Sequence, residues 1–96
     1  MNTIKFNDTV FQVESYNKNT YFEGESVNSN GTCNIITSDA TALNALAEDE
    51  ITSIQIYHDE ELIYDSQNIK CSITSINEYL NGDHMNIQIS LIFDLT

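Results

Sequence analysis

The sequence predicts an α+β fold that is mainly antiparallel β. It implies about seven or eight strands in hairpins, sandwich- or barrel-like, with one short helix near residues 39–49. Three observations predict it. Apolar residues alternate without a break at Met85, Ile87, Ile89, Leu91, Phe93 and Leu95, which lines them up on one face of a strand. The same period of two recurs in shorter runs through most of the chain, interrupted by Asn-, Asp- and Gly-bearing turns. Only SDATALNALAED, residues 38–49, changes period. The 96 residues suffice for one domain, and the 41% hydrophobic content fills one modest core.

Taken in order, Thr3–Phe6 alternates, Asn7-Asp8 can turn the chain, and Val10–Tyr16 continues it. A two-residue turn sets Ile4 opposite Phe11 and extends that face to Phe6 and Val13. YNKNTYFEG predicts a bend at Asn17–Asn19 and a short strand at Thr20–Glu23. GESVNSNG is polar and carries two glycines, so it predicts a loop. TCNIIT, 32–37, predicts a strand with Cys33 and Ile35 on one face. The helix follows: Ser38 or Asp39 can accept hydrogen bonds from its first amides, and Ala40, Leu43, Leu46 and Ala47 form an apolar stripe. So short a helix persists only when packed on a sheet. Glu48, Asp49 and Glu50 crowd its C-terminal end, where the dipole disfavours anions.

From residue 51 the pattern is β again. Ile54 and Ile56 alternate, HDEE at 58–61 interrupts, and LIYD resumes. A turn centred on Asp59-Glu60 pairs Tyr57 with Leu62 and Ile56 with Ile63. Ile69, Cys71 and Ile73 alternate, and the phase then slips before Ile76, which predicts a β-bulge near Thr74-Ser75. Asn81-Gly82-Asp83-His84 is a strong turn signal. Counted back from that turn, Leu80 faces Met85, Ile76 faces Ile89, and, past the bulge, Ile73 faces Leu91 and Cys71 faces Phe93. The final strand, about 11 residues or roughly 36 Å long, would span the domain or project beyond it. Ile92 makes its end apolar on both faces, and such an end calls for cover by the helix, another strand or another subunit.

Charge narrows the function. Fifteen acids stand against three lysines, Lys5, Lys18 and Lys70, for a net charge of −12. No arginine is present to grip phosphate in a bidentate fork. Such a surface repels nucleic acid and anionic membrane, so the expected partner is a protein, either a second copy or a basic protein. MNTIKFND has no apolar run for a signal peptide and no segment is long enough to span a bilayer. Secretion by a signal peptide is therefore not expected.

Chemistry-bearing constellations are few. HDEE is the densest ionisable cluster, but hard cations need six or more oxygens in a preformed loop, and the EF-hand spacing is absent. His58, His84, Cys33 and Cys71 match no zinc-site spacing. Cys33 and Cys71 read as small buried thiols, with a disulfide left open. No catalytic, cofactor-binding or metal-binding residue is predicted, and the chain is not expected to be an enzyme. The candidate protein contacts are the acids Asp59, Glu60, Glu61, Glu48, Asp49 and Glu50, with Tyr57 and Tyr64, since tyrosines on strand faces anchor interfaces.

In overall pattern, with its long hairpins, single short helix and acidic, Asn-rich composition, the chain is similar to small bacteriophage virion proteins, including tail-associated β-domains. The resemblance implies a non-catalytic structural or assembly module that works through strand contacts, located in the cytoplasm of a bacterial host or in a virion. No motif carries it, so no residue role transfers. The alternative is an acidic phage-encoded anti-defence inhibitor that imitates nucleic acid and blocks the basic groove of a nuclease. For that, Glu48–Glu50 and Asp59–Glu61 lie at opposite ends of a strand, roughly 26 Å apart.

Overall fold

A computed structural model describes residues 1–37 and 40–93. The elements are β1 (Asn2–Phe6), β2 (Thr9–Glu23), β3 (Ser26–Ile36), α1 (Ala40–Ala47), β4 (Ile51–His58), β5 (Glu61–Asn81) and β6 (His84–Phe93). All strand pairs are antiparallel, and the sheet closes as a barrel in the order β1-β2-β3-β6-β5-β4. The mainly β class with one short helix is as the sequence implies. The proposed Ser38/Asp39 cap and the last apolar position, Leu95, lie outside the described residues.

Among the described residues six strands appear instead of about seven or eight, because three predicted interruptions are absent. Asn17–Asn19 do not bend; β2 runs on to Glu23, and its irregularity is a bulge between Val13 and Ser15. The predicted loop GESVNSNG turns only at Gly24-Glu25 and is strand from Ser26. Ser26, Asn28 and Asn30 are exposed and Ser29 turns inward, while the backbone is paired, to β2 from Ser26 and also to β6 from Ser29. The third is β5, which joins two predicted strands into 21 residues.

A straight strand of that length would reach roughly 69 Å, yet the longest axis of the molecule is 45 Å. β5 must therefore coil. It does so at Asn68, which has a φ of 58°, and at the bulge between Ile73 and Ser75. Its first half pairs with β4 and its second with β6, and Cys71 faces both Ile51 and Phe93. β2 divides its partners in the same way at Gln12, between β1 and β3.

Four two-residue turns join the hairpins. Each has a left-handed φ at its first residue: Asn7 (55°), Gly24 (62°), Asp59 (56°) and Gly82 (66°). Asn7 also clamps the barrel. Its Oδ1 accepts from the amides of Thr52 (2.9 Å) and Ser53 (3.3 Å), and its Nδ2 donates to the Glu50 carbonyl at 3.1 Å. The β1–β2 turn is thereby tied to the start of β4. Gly31 has a different reason: a Cβ there would lie 2.7 Å from the Asn17 carbonyl oxygen and 3.3 Å from the Phe93 ring.

The core runs down the barrel axis. Ile4, Phe6, Cys33, Ile35, Ile51, Ile54 and Ile89 are fully buried, and Leu43 and Leu46 of α1 join them. α1 packs on β5, which supplies the sheet contact a single short helix needs.

Candidate functional site

The HDEE tip is the predicted two-residue turn, with His58 facing Glu61 and Tyr57 facing Leu62. The next pair differs from expectation. Ile56 faces Tyr64, because a register shift leaves Ile63 unpaired and 57% exposed.

The predicted contact acids are placed unequally. Asp59 accepts from the Met1 amino group at 2.8 Å, and its amide donates to the Met1 carbonyl at 2.9 Å. The hydrogen bond to that ammonium, then its charge, then His58 hold the Asp59 carboxyl below its ordinary range. His58 Nδ1 meets Asn2 Oδ1 at 2.7 Å. The tip is thus latched to the first two residues, and among the described residues Glu60 and Glu61 are its carboxylates outside that latch. Glu48, Asp49 and Glu50 lie at the opposite end of β4. They share the wall of an open cavity of about 830 Å³ with Lys70, Ser26, Val27 and Ile92. The two acidic groups do not form a continuous stripe.

The two predicted tyrosines also diverge. Tyr57 is half-buried, and its hydroxyl donates to Gln55 Oε1 at 3.3 Å. Tyr64 turns toward the interior, with its ring centroid 5.7 Å from that of Tyr16. It supports the core more than it offers a contact.

The cysteines are free and buried. Burial pushes both thiols up to about 12, which makes them poor nucleophiles. Among the described residues no group of three or more His, Cys, Asp or Glu is arranged to hold a metal ion. His84 sits between two carboxylates, Asp83 at 3.2 Å and Glu14 at 3.6 Å. Glu14, beside the β2 bulge, also accepts from Asn86 Nδ2 at 2.6 Å.

The exposed apolar pairs are a feature that residue-by-residue reading misses. In three hairpins the second pair from the turn is apolar: Phe22 with Val27, Tyr57 with Leu62, and Leu80 with Met85. Phe22 is 72% exposed and Leu80 70%. Each pair stands directly behind a charged tip: Glu23 and Glu25, Asp59–Glu61, or Asp83 and His84. The sequence signal was available, but it becomes visible only once the register is known.

No protein-family model and no curated protein matches this chain. Among the described residues no helix is long and apolar enough to cross a membrane.

Proposed function

We propose that this chain is a non-catalytic assembly module that acts through protein–protein contacts of its β-hairpins. The observation that carries the reading is the repeated apolar pair behind a charged hairpin tip. Burying such pairs supplies affinity, while the charged turns beyond them set orientation and discourage indiscriminate association. A virion or the bacterial host cytoplasm is the setting that goes with it. The alternative, an acidic inhibitor of a nuclease, draws on the same charge of −12. It has less support, since the latched Asp59 and the separated acidic groups make no ribbon of phosphate-like spacing.

The test is retention of a partner on immobilised protein, wild type against a Phe22→Ser/Leu80→Ser variant, in extract of the cells that produce it. Both side chains are mostly solvated, so the variant should fold with little change in stability. The wild type should retain a protein, another copy included, at least tenfold better than the variant. Equal retention would remove the hairpin pairs from the contact and the reading with them.

A further inference from the structure

One face of the barrel differs from the rest of the surface. The outward side chains of β2, β3, β6 and β5 form three cross-strand rows: Asn19–Asn30–Ile92–Ser72, Asn17–Thr32–Ser90–Ser75 and Ser15–Asn34–Gln88–Asn77. Their outward direction follows from alternation, because Cys33, Ile35, Ile89 and Leu91, the intervening residues, are buried. None of these twelve positions is charged, although the chain carries 15 acids and three lysines. Among the described residues the acids stand elsewhere: at the turns, beside the β2 bulge, along the α1–β4 connection and on the opposite faces of β5.

We propose that this uncharged face binds a second copy of the chain, forming a two-fold dimer. The inference deepens the assembly reading above and rests on it.

Charge is the first argument. Two molecules of net charge −12 repel, and direct opposition of carboxylates adds to the cost. Carboxylates border this four-stranded face only at its margins, where Glu48, Asp49 and Glu50 share a cavity wall with Ile92 and Ser72 and Glu14 binds Asn86, so two copies centred on the middle row oppose none directly. The second argument is self-complementarity. A two-fold contact brings a surface against itself, and amide and hydroxyl side chains each carry both donor and acceptor. Asn34 already uses both functions, donating to Ser15 Oγ at 2.9 Å and accepting from the Tyr79 hydroxyl at 3.0 Å. Third, Ile92 lies within the first row and is 53% exposed, an apolar anchor among polar neighbours. Four strands about 4.8 Å apart and rows spaced by two residues give at most about 500 Å² per copy. That falls at the small end of specific interfaces, so the dimer is weak and concentration-dependent.

The sign of the salt effect is distinctive. Salt screens the overall repulsion but takes nothing from an uncharged contact, so the dimer strengthens as salt rises. A complex with a basic partner weakens.

The experiment is light scattering on the purified full chain over about a hundredfold range of concentration, at low and high salt. The wild type should move from 10.9 kDa toward twice that mass, further at high salt. Thr32→Glu and, at the exposed edge of the same row, Asn17→Glu should each hold it at the monomer mass with circular dichroism unchanged; Asn17→Glu keeps the test valid if Thr32→Glu does not fold. Three results would overturn the dimer. One is a wild type that stays monomeric throughout. Another is a dimer that both charged variants leave intact and that Phe22→Ser/Leu80→Ser abolishes, in which case the assembly reading survives without this face. The third is a monomer whose face resonances shift with a neutral oligosaccharide, which would assign the face to a glycan.

Discussion

The two ends of the barrel interior are built from different residues. Around β1, β4 and the start of β2 the lining is aliphatic or aromatic: Ile4, Phe6, Phe11, Val13, Ile51 and Ile54, all buried. Around the second half of β2 it holds Tyr16, Lys18, Thr20, Ser29, Gly31, Cys33 and Cys71. The change occurs at the bulge between Val13 and Ser15, where the inward phase switches from odd positions (Phe11, Val13) to even ones (Tyr16, Lys18). At the first end β2 has β1 on one side. Beyond Gln12 only β3 pairs with it among the described residues, and the interior there tolerates polar groups. Thr20 and Ser29 satisfy each other at 2.8 Å, and Lys18 Nζ lies 4.6 Å from the Phe93 ring centroid, in cation–π range. A fully enclosed end excludes polar atoms, whereas a half-enclosed end can hold them in pairs.

The sharpest way to break that comparison is to empty a site in the apolar end. Ile54 is fully buried, so Ile54→Ala should cost about 2–5 kcal/mol. Ile54→Val should cost about 0.5–1.5 kcal/mol, and it keeps the measurement available if the alanine variant unfolds. Urea denaturation with an unchanged m-value is the readout. A loss under about 1 kcal/mol for the alanine variant would mean that this end is as loosely closed as the other.

The polar end should respond in the opposite direction. The Tyr16 hydroxyl is buried beside Tyr64 and, among the described residues, makes no hydrogen bond of good geometry. Burial, followed by the proximity of Tyr64, pushes its pKa upward. Removing an unpaired buried hydroxyl takes away a desolvation cost, so Tyr16→Phe should leave stability unchanged or raise it by up to about 1 kcal/mol. A loss of that size instead would show that the hydroxyl is bonded, and that this end is as specifically built as the first.

How much of this was legible depended on how local the cause was. The β5–β6 hairpin could be read in full. Unbroken alternation in β6 and the Asn81–His84 turn set the pairs Leu80–Met85, Ile76–Ile89, Ile73–Leu91 and Cys71–Phe93, and the bulge near Thr74-Ser75 follows from them; all are observed. The β2–β3 hairpin could not. Asn, Ser and Gly disfavour strand on their own, and residues 26–31 are strand because pairing outweighs propensity. The Ile56–Ile63 pair was misread because one unpaired residue shifts everything beyond it. At the candidate site, Asp59-Glu60 was readable as a turn, but the latch to Met1 closes across 58 residues and leaves no local trace. The uncharged rows are a property of four strands at once, so they appear only when the register is laid out.

The smallest expected effect lies at the seam between the two ends, where Glu14 beside the bulge meets His84. The hydrogen bond to Asp83 raises the His84 pKa above 6.5, and Glu14 adds to the rise. Asp83 is lowered below 3.8 in return, first by its hydrogen bond to His84. For a raised histidine the stabilisation is full below the unfolded pKa and is lost as pH rises through the folded one. For the lowered Asp83 it is lost as pH falls through that group's folded value. The window therefore lies between the two, in mildly acidic solution. Both side chains are solvent-exposed, so the shift in melting temperature is small. The general easing of repulsion among 15 acids also changes stability as pH falls, so wild type must be compared with His84→Gln at each pH. The wild type should melt higher at about pH 5.5 and equally at about pH 8.5. A gap that persists unchanged at the higher pH would make His84 a packing residue, and the bulge would then be held in place by Asn86 and Glu14 alone.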